Sequence, residues 1–163
     1  EVVHHSEFLE HLIDTGKLDI RNASLEDRIT YHDSCYLGRH NDVYMAPRKI
    51  VGSIKGVQIV EMPRNGTQGM CCGAGGARMW MEESIGTKVN DERAQEAIST
   101  GASRVATACP FCYIMLDDGV KAAGKEESDV KVADIAIHLL DALENGERNL
   151  ANQNAPLATS AGE

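Results

Sequence analysis

Phe8, Leu9, Leu12 and Ile13 recur at the spacing of one helical face, and Gly16 stands where such a helix would stop. The β-branched and aromatic run Arg28–His32 reads instead as a strand that ends in the loop Asp33-Ser34-Cys35. Pro47 suits the first turn of a short helix through Ile50 and Val51. The alternating run Val57–Met62 predicts a second strand, closed by Pro63, and the loop Arg64–Met70 follows. Helical patterns come next over Ala77–Glu83 and Asp91–Thr100, the latter with Asn90 as N-cap and Gly101 as stop. Arg104–Ala108 is a third strand and Tyr113–Ala122 a helix. A brief strand over Val130–Val132 and a helix over Asp134–Leu143 complete the pattern.

Strands that alternate with helices imply an α/β fold, a small parallel sheet flanked by helices. In such sheets the loops at the carboxyl ends of the strands converge on one crevice, so the cysteine loops are expected to meet at that edge. The expected organisation is one cysteine-rich domain over residues 1–145, followed by a disordered tail over 146–163 that is rich in Asn, Ala, Gln and Ser. No internal repeat is present.

Composition narrows the function classes. A net charge of −9 argues against nucleic acid and anionic membrane surfaces, which need a basic face, and favours a basic protein partner. No stretch approaches the roughly 18 apolar residues that span a bilayer. Aromatic residues make up 4% of the chain, so its core must be aliphatic and alanine-rich. The chain opens on Glu1 rather than Met, as a piece of a longer polypeptide would, and an odd number of cysteines without a disulfide framework indicates a reducing compartment.

Cysteines carry the chemistry. The intervals 36–70, 74–108 and 110–111 give Cys-x35-Cys-Cys-Gly-x35-Cys-x2-Cys over Cys35, Cys71, Cys72, Cys109 and Cys112. Buried cysteines often serve as small hydrophobes, but that reading does not explain five in this pattern. A zinc-binding scaffold needs four ligands, leaves a fifth surplus, and asks adjacent Cys71 and Cys72 to reach one ion. A dithiol oxidoreductase using Cys109 and Cys112 leaves three cysteines idle. An iron–sulfur cluster accepts thiolates spread over several ångströms and can use all five. Gly73, Gly75 and Gly76 would let the backbone approach such an anionic group. Zinc and dithiol chemistry remain the alternatives.

Three stretches, His32–Arg39, Cys71–Trp80 and Cys109-Pro110-Phe111-Cys112, resemble the signatures of the cysteine-rich domain named for its Cys-Cys-Gly motif, found in heterodisulfide reductases and related iron–sulfur subunits. The resemblance is closest to the C-terminal part of membrane-bound reductases that pass electrons from electron-transfer flavoprotein to menaquinone. Ser34 stands where the family commonly has proline, a departure that touches no ligand. The resemblance implies a non-cubane [4Fe–4S] cluster held by the five cysteines beside Gly73, with zinc as a substitute after purification in air. It further implies a flavoprotein donor, a quinone or disulfide acceptor reached through the parent protein, and a cytoplasmic domain tethered to the inner face of the membrane by segments upstream.

Around these ligands, His32, Asp33, Arg39 and Arg78 could supply hydrogen bonds and positive charge, or could be ordinary solvated or satisfied residues. Met79, Trp80 and Met81 could wall off the cluster or form a partner surface, but such a grouping at the start of a helix is more often core. His4, His5, His11, His40 and His138 lack metal-like spacing, and no catalytic triad or carboxylate pair is evident.

Overall fold

A computed structural model describes residues 2–153. Its strands are β1 (Arg28–Tyr31), β2 (Gln58–Ile59), β3 (Arg104–Thr107) and β4 (Lys131–Asp134), and its helices are α1 (His5–Asp14), α2 (Met45–Gly52), α3 (Val89–Ser99), α4 (Pro110–Ala122) and α5 (Ile135–Gln153). The four strands form one parallel sheet in the order β2-β1-β3-β4, an α/β fold as expected. Helices α1, α2 and α5 pack together, and α3 packs on α4. Alternation along each strand assigns side chains to two cores: Ile29, Tyr31, Ala106 and Ala108 join α2 and α5, while Val105 and Val132 join α3 and α4. The chain leaves β1 toward β2 and returns to the other side of β1 to form β3. The switch point therefore lies between the carboxyl ends of β1 and β3, where α/β sheets open a crevice.

The structure differs from the sequence expectations in five places. Pairing along Val57–Met62 ends once the Val60 N–H has bonded to Ile29 O, because Met62 turns into the α3–α4 core and is fully buried. Asn90 is not the N-cap of α3. Lys88 is, and buried Asn90 instead donates from Nδ2 to Met115 O, tying α3 to α4. The expected helix over Ala77–Glu83 is replaced by 3-10 turns over Gly75–Trp80, because Gly76 and Ala77 both adopt positive φ, which no α-helix tolerates. Trp80 and Met81, expected in the core, are exposed. Finally, residues 146–153 of the expected tail continue α5, and the remainder, 154–163, lies outside the described residues.

Gly146 explains how α5 continues: its backbone packs so closely on Asn22 that a methyl group would fall on the Asn22 carbonyl. Gly146→Ala is expected to destabilise the fold by about 2–3 kcal/mol, read as a lower urea midpoint with unchanged slope. His138, on the same helix, is wholly buried between Val105 O (3.2 Å) and Arg104 Nη1 (3.3 Å), and burial lowers its pKa to about 4. The unfolded chain thus binds a proton that the folded chain refuses between the ordinary histidine pKa of about 6.5 and about 4. Stability is fully present above pH 6.5 and is lost as pH falls through this window, by roughly 3 kcal/mol. His138→Gln should flatten that part of the stability–pH profile.

Candidate metal centre

The strand-to-loop transitions deliver the cysteines to the switch point. Beyond β1, the His32 N–H still bonds to Ala106 O, and the chain then turns at Ser34, whose carbonyl accepts from the N–H groups of Leu37 and Gly38. This turn presents Cys35. Beyond β3, Cys109 is the N-cap of α4 with Pro110 in its first turn, which places Cys112 one helical turn further and buried. Cys71 and Cys72 arrive on the long β2–α3 connection. Cys72 and Cys112 are buried, while Cys35, Cys71 and Cys109 are half-buried on the solvent side. Beside Cys109 the crevice opens as a cleft of about 530 Å³ whose lining includes Ser34, Tyr36 and Ala108.

The thiols bear on one another's ionisation. Burial, then the neighbouring Cys71, Cys72 and Cys109, push the Cys35 thiol up. The Cys112 thiol lies against both Cys72 and Cys109 and favours their thiolates: Cys72 is lowered to about 4, with His32 and the Ala74 N–H assisting. Cys109 is lowered to about 6 by Cys112 and by the N–H groups of Cys112 and Phe111 at the start of α4. The same contacts raise Cys112.

Gly73 shapes the adjacent-cysteine turn. Its φ is +96°, its N–H donates to Cys71 Sγ at 3.3 Å, and an added Cβ would stand 3.1 Å from Asn90 N and 3.2 Å from Met115 Cε. Gly73→Ala combines backbone strain with overpacking, and should cost about 2–3 kcal/mol and displace the Cys71–Cys72 turn from α3 and α4. A thermal melt of the apo protein checks the first effect and metal uptake the second.

The residues flanking the motifs divide in two. Asp33 is a structural anchor: Arg48 binds its carboxylate at 2.7 and 2.9 Å, and the Gly66 N–H donates to it at 2.6 Å, fastening the β2–α3 connection to the Cys35 turn. Arg48 also bridges to Glu61 at 2.7 Å. Arg39 donates to Gly69 O at 2.9 Å and Arg78 pairs with Glu83 at 2.7 Å, so neither guanidinium is spent on a thiol. His32 is buried, with one ring nitrogen in a group with the sulfurs of Cys72 and Cys112 whose members all lie within 4.8 Å of one another. His4 and His5 are satisfied by Ala108 O and Asp134.

Sequence reasoning missed Arg93. It lies at 0% exposure on the buried face of α3 with Ala94 and Ala97, and donates to His32 Nδ1 at 3.1 Å. The signal was available, since Asn90, Arg93, Ala94 and Ala97 fall on one helical stripe.

A family model described as the CCG cysteine-rich domain matches residues 29–117, more than half of the chain. The chain belongs to this family. It is 49% identical over 135 residues to the probable iron-sulfur-binding oxidoreductase FadF of Bacillus subtilis, covering 83% of this chain and 19% of that protein. It is 44% identical over 151 residues to the EtfAB:quinone oxidoreductase of Syntrophomonas wolfei, covering 88% and 21%. Over 143 residues it is 39% identical to one component of the dihydromethanophenazine:CoB--CoM heterodisulfide reductase of Methanosarcina acetivorans, covering 88% and 34%. The chain therefore spans about a fifth to a third of the length of these relatives.

The residues present suit an iron–sulfur group. The donor set is all thiol, two donors are already biased toward thiolate, and at Gly75 the absence of a side chain keeps bulk away from Cys71 Sγ.

Proposed function

We propose that this domain transfers electrons through one iron–sulfur cluster, a non-cubane [4Fe–4S] group held by Cys35, Cys71, Cys72, Cys109 and Cys112. The observation that carries the reading is that three separate connections bring their cysteines to the carboxyl edge of the sheet, with Cys72 and Cys112 in one buried group and Cys35, Cys71 and Cys109 half-buried. When bound, such a group accepts and returns electrons without net proton or atom transfer by the protein. The chain's own residues hold it. Buried Cys72 and Cys112 would hold it from the interior and half-buried Cys35, Cys71 and Cys109 from the solvent side, where a redox partner can approach. The relatives' names support an oxidoreductase component that connects a flavoprotein donor with a quinone or disulfide acceptor. No helix among the described residues is long and apolar enough to cross a membrane, so tethering to the inner membrane face would come from other parts of the parent protein.

A dithiol reading draws on one observation, the acidic Cys109 beside buried Cys112. Cys72, outside that pair, lies against the same Cys112 thiol and is lowered as well. Anaerobic reconstitution with iron and sulfide, followed by reduction, separates the readings. A broad visible absorption that bleaches on reduction is expected; a colourless protein that binds stoichiometric zinc and takes up no electrons would overturn the proposal.

A further inference from the structure

His32, Cys72 and Cys112 form a buried group of metal-ligand side chains, and by composition alone His32 would be a candidate ligand. Its surroundings argue otherwise. The Arg93 guanidinium is anchored through Nη1 to Glu96 Oε2 and Arg64 O, both at 2.9 Å, and its Nε–H points at His32 Nδ1. Arginine has donors only and stays protonated, so Nδ1 must accept. In a neutral imidazole the proton then sits on Nε2, the nitrogen that Arg93 leaves free. The other tautomer would set two N–H donors against each other in a dry interior, leaving both unsatisfied. A protonated nitrogen has no lone pair in the ring plane to offer a metal.

We infer that His32 is not a ligand but an N–H donor to Cys72 Sγ, and that Arg93, held by Glu96, is the positioning residue that fixes His32 in this tautomer. The redox consequence rests on the proposed role of Cys72 as a cluster ligand; the tautomer does not. A hydrogen bond to a ligating sulfur draws off negative charge and favours the reduced cluster, so it raises the reduction potential.

The first test needs no cluster and no substitution. Long-range proton–nitrogen correlation spectra of reduced, metal-free protein labelled at histidine nitrogen are expected to show His32 with Nε2 bearing the proton and Nδ1 bare. A protonated Nδ1, alone or together with Nε2, would overturn the inference. Arg93→Met should release the constraint and yield a tautomer mixture, and an unchanged Nε2–H signature in that folded variant would remove Arg93 from the inference. In reconstituted protein, His32→Leu should keep its iron and shift the potential to more negative values. His32→Gln, whose amide can still donate, should recover part of the shift. Loss of iron from a folded His32→Leu protein, with all five cysteines intact, would instead make His32 a ligand. Protein that takes up no iron in any form would defeat the cluster proposal while leaving the tautomer result standing.

Discussion

Replacing Cys72 with serine is expected to strip most of the iron from reconstituted protein, a loss of affinity on the order of 100-fold or more, since even residues that only support a ligand are worth 10–100-fold. Cys72 is buried and lies against both Cys112 and His32, so no solvent or neighbouring side chain can take its place. The substituted hydroxyl does not ionise at neutral pH and binds iron weakly. Cys35→Ser, on the open side, should leave more metal bound but alter the electron paramagnetic resonance signal. A dithiol enzyme would show the opposite pattern, failing at Cys109 and Cys112 and tolerating serine at Cys35, Cys71 and Cys72. Spectra and electron transfer that survive all three of those substitutions would remove the five-ligand account.

Cluster binding is also expected to order the β2–α3 connection. Between Pro63 and Lys88 it contains only 3-10 turns, over Gly66–Gln68 and Gly75–Trp80, and neither turn buries a residue. Asp33 and Arg39 fasten it at Gly66 and Gly69, and beyond those points the cysteines are its principal attachment. Ligand binding to the folded state alone adds about 2.7 kcal/mol at a hundredfold excess over Kd. Amide exchange across residues 70–80 should therefore slow by roughly 100-fold on cluster loading, while β1 and β3 exchange unchanged. Equal protection of this segment in apo and loaded protein would contradict the account.

The architecture was legible in the sequence because its main signals are local. Each of Ile29–Tyr31 and Val105–Thr107 is a short run bounded by turn residues, and each runs straight into a cysteine loop, so strand ends and thiols are linked by chain continuity. What sequence could not supply was set by contacts remote in the chain. Asn90 resembles a cap in isolation, yet it is claimed by Met115 on another helix. Gly146 looks like the start of a polar tail, yet it is the one residue small enough to pass Asn22. Trp80 and Met81 lie in a segment that looks helical in isolation, yet the left-handed Gly76 and Ala77 at its start break the helix and both side chains are exposed. Arg93 was overlooked because a charged side chain in a helix is ordinarily solvated, whereas here Glu96 and His32 give it partners in the interior. The sequence resemblance was specific in its motifs, and the family match covers all five cysteines.

The most direct measurement is the iron and acid-labile sulfide content per chain of anaerobically reconstituted protein with its five cysteines intact. About four of each per chain is expected from a cluster of the type the thiol set suits. A content near zero, or a single tightly bound metal ion without sulfide, would contradict the account.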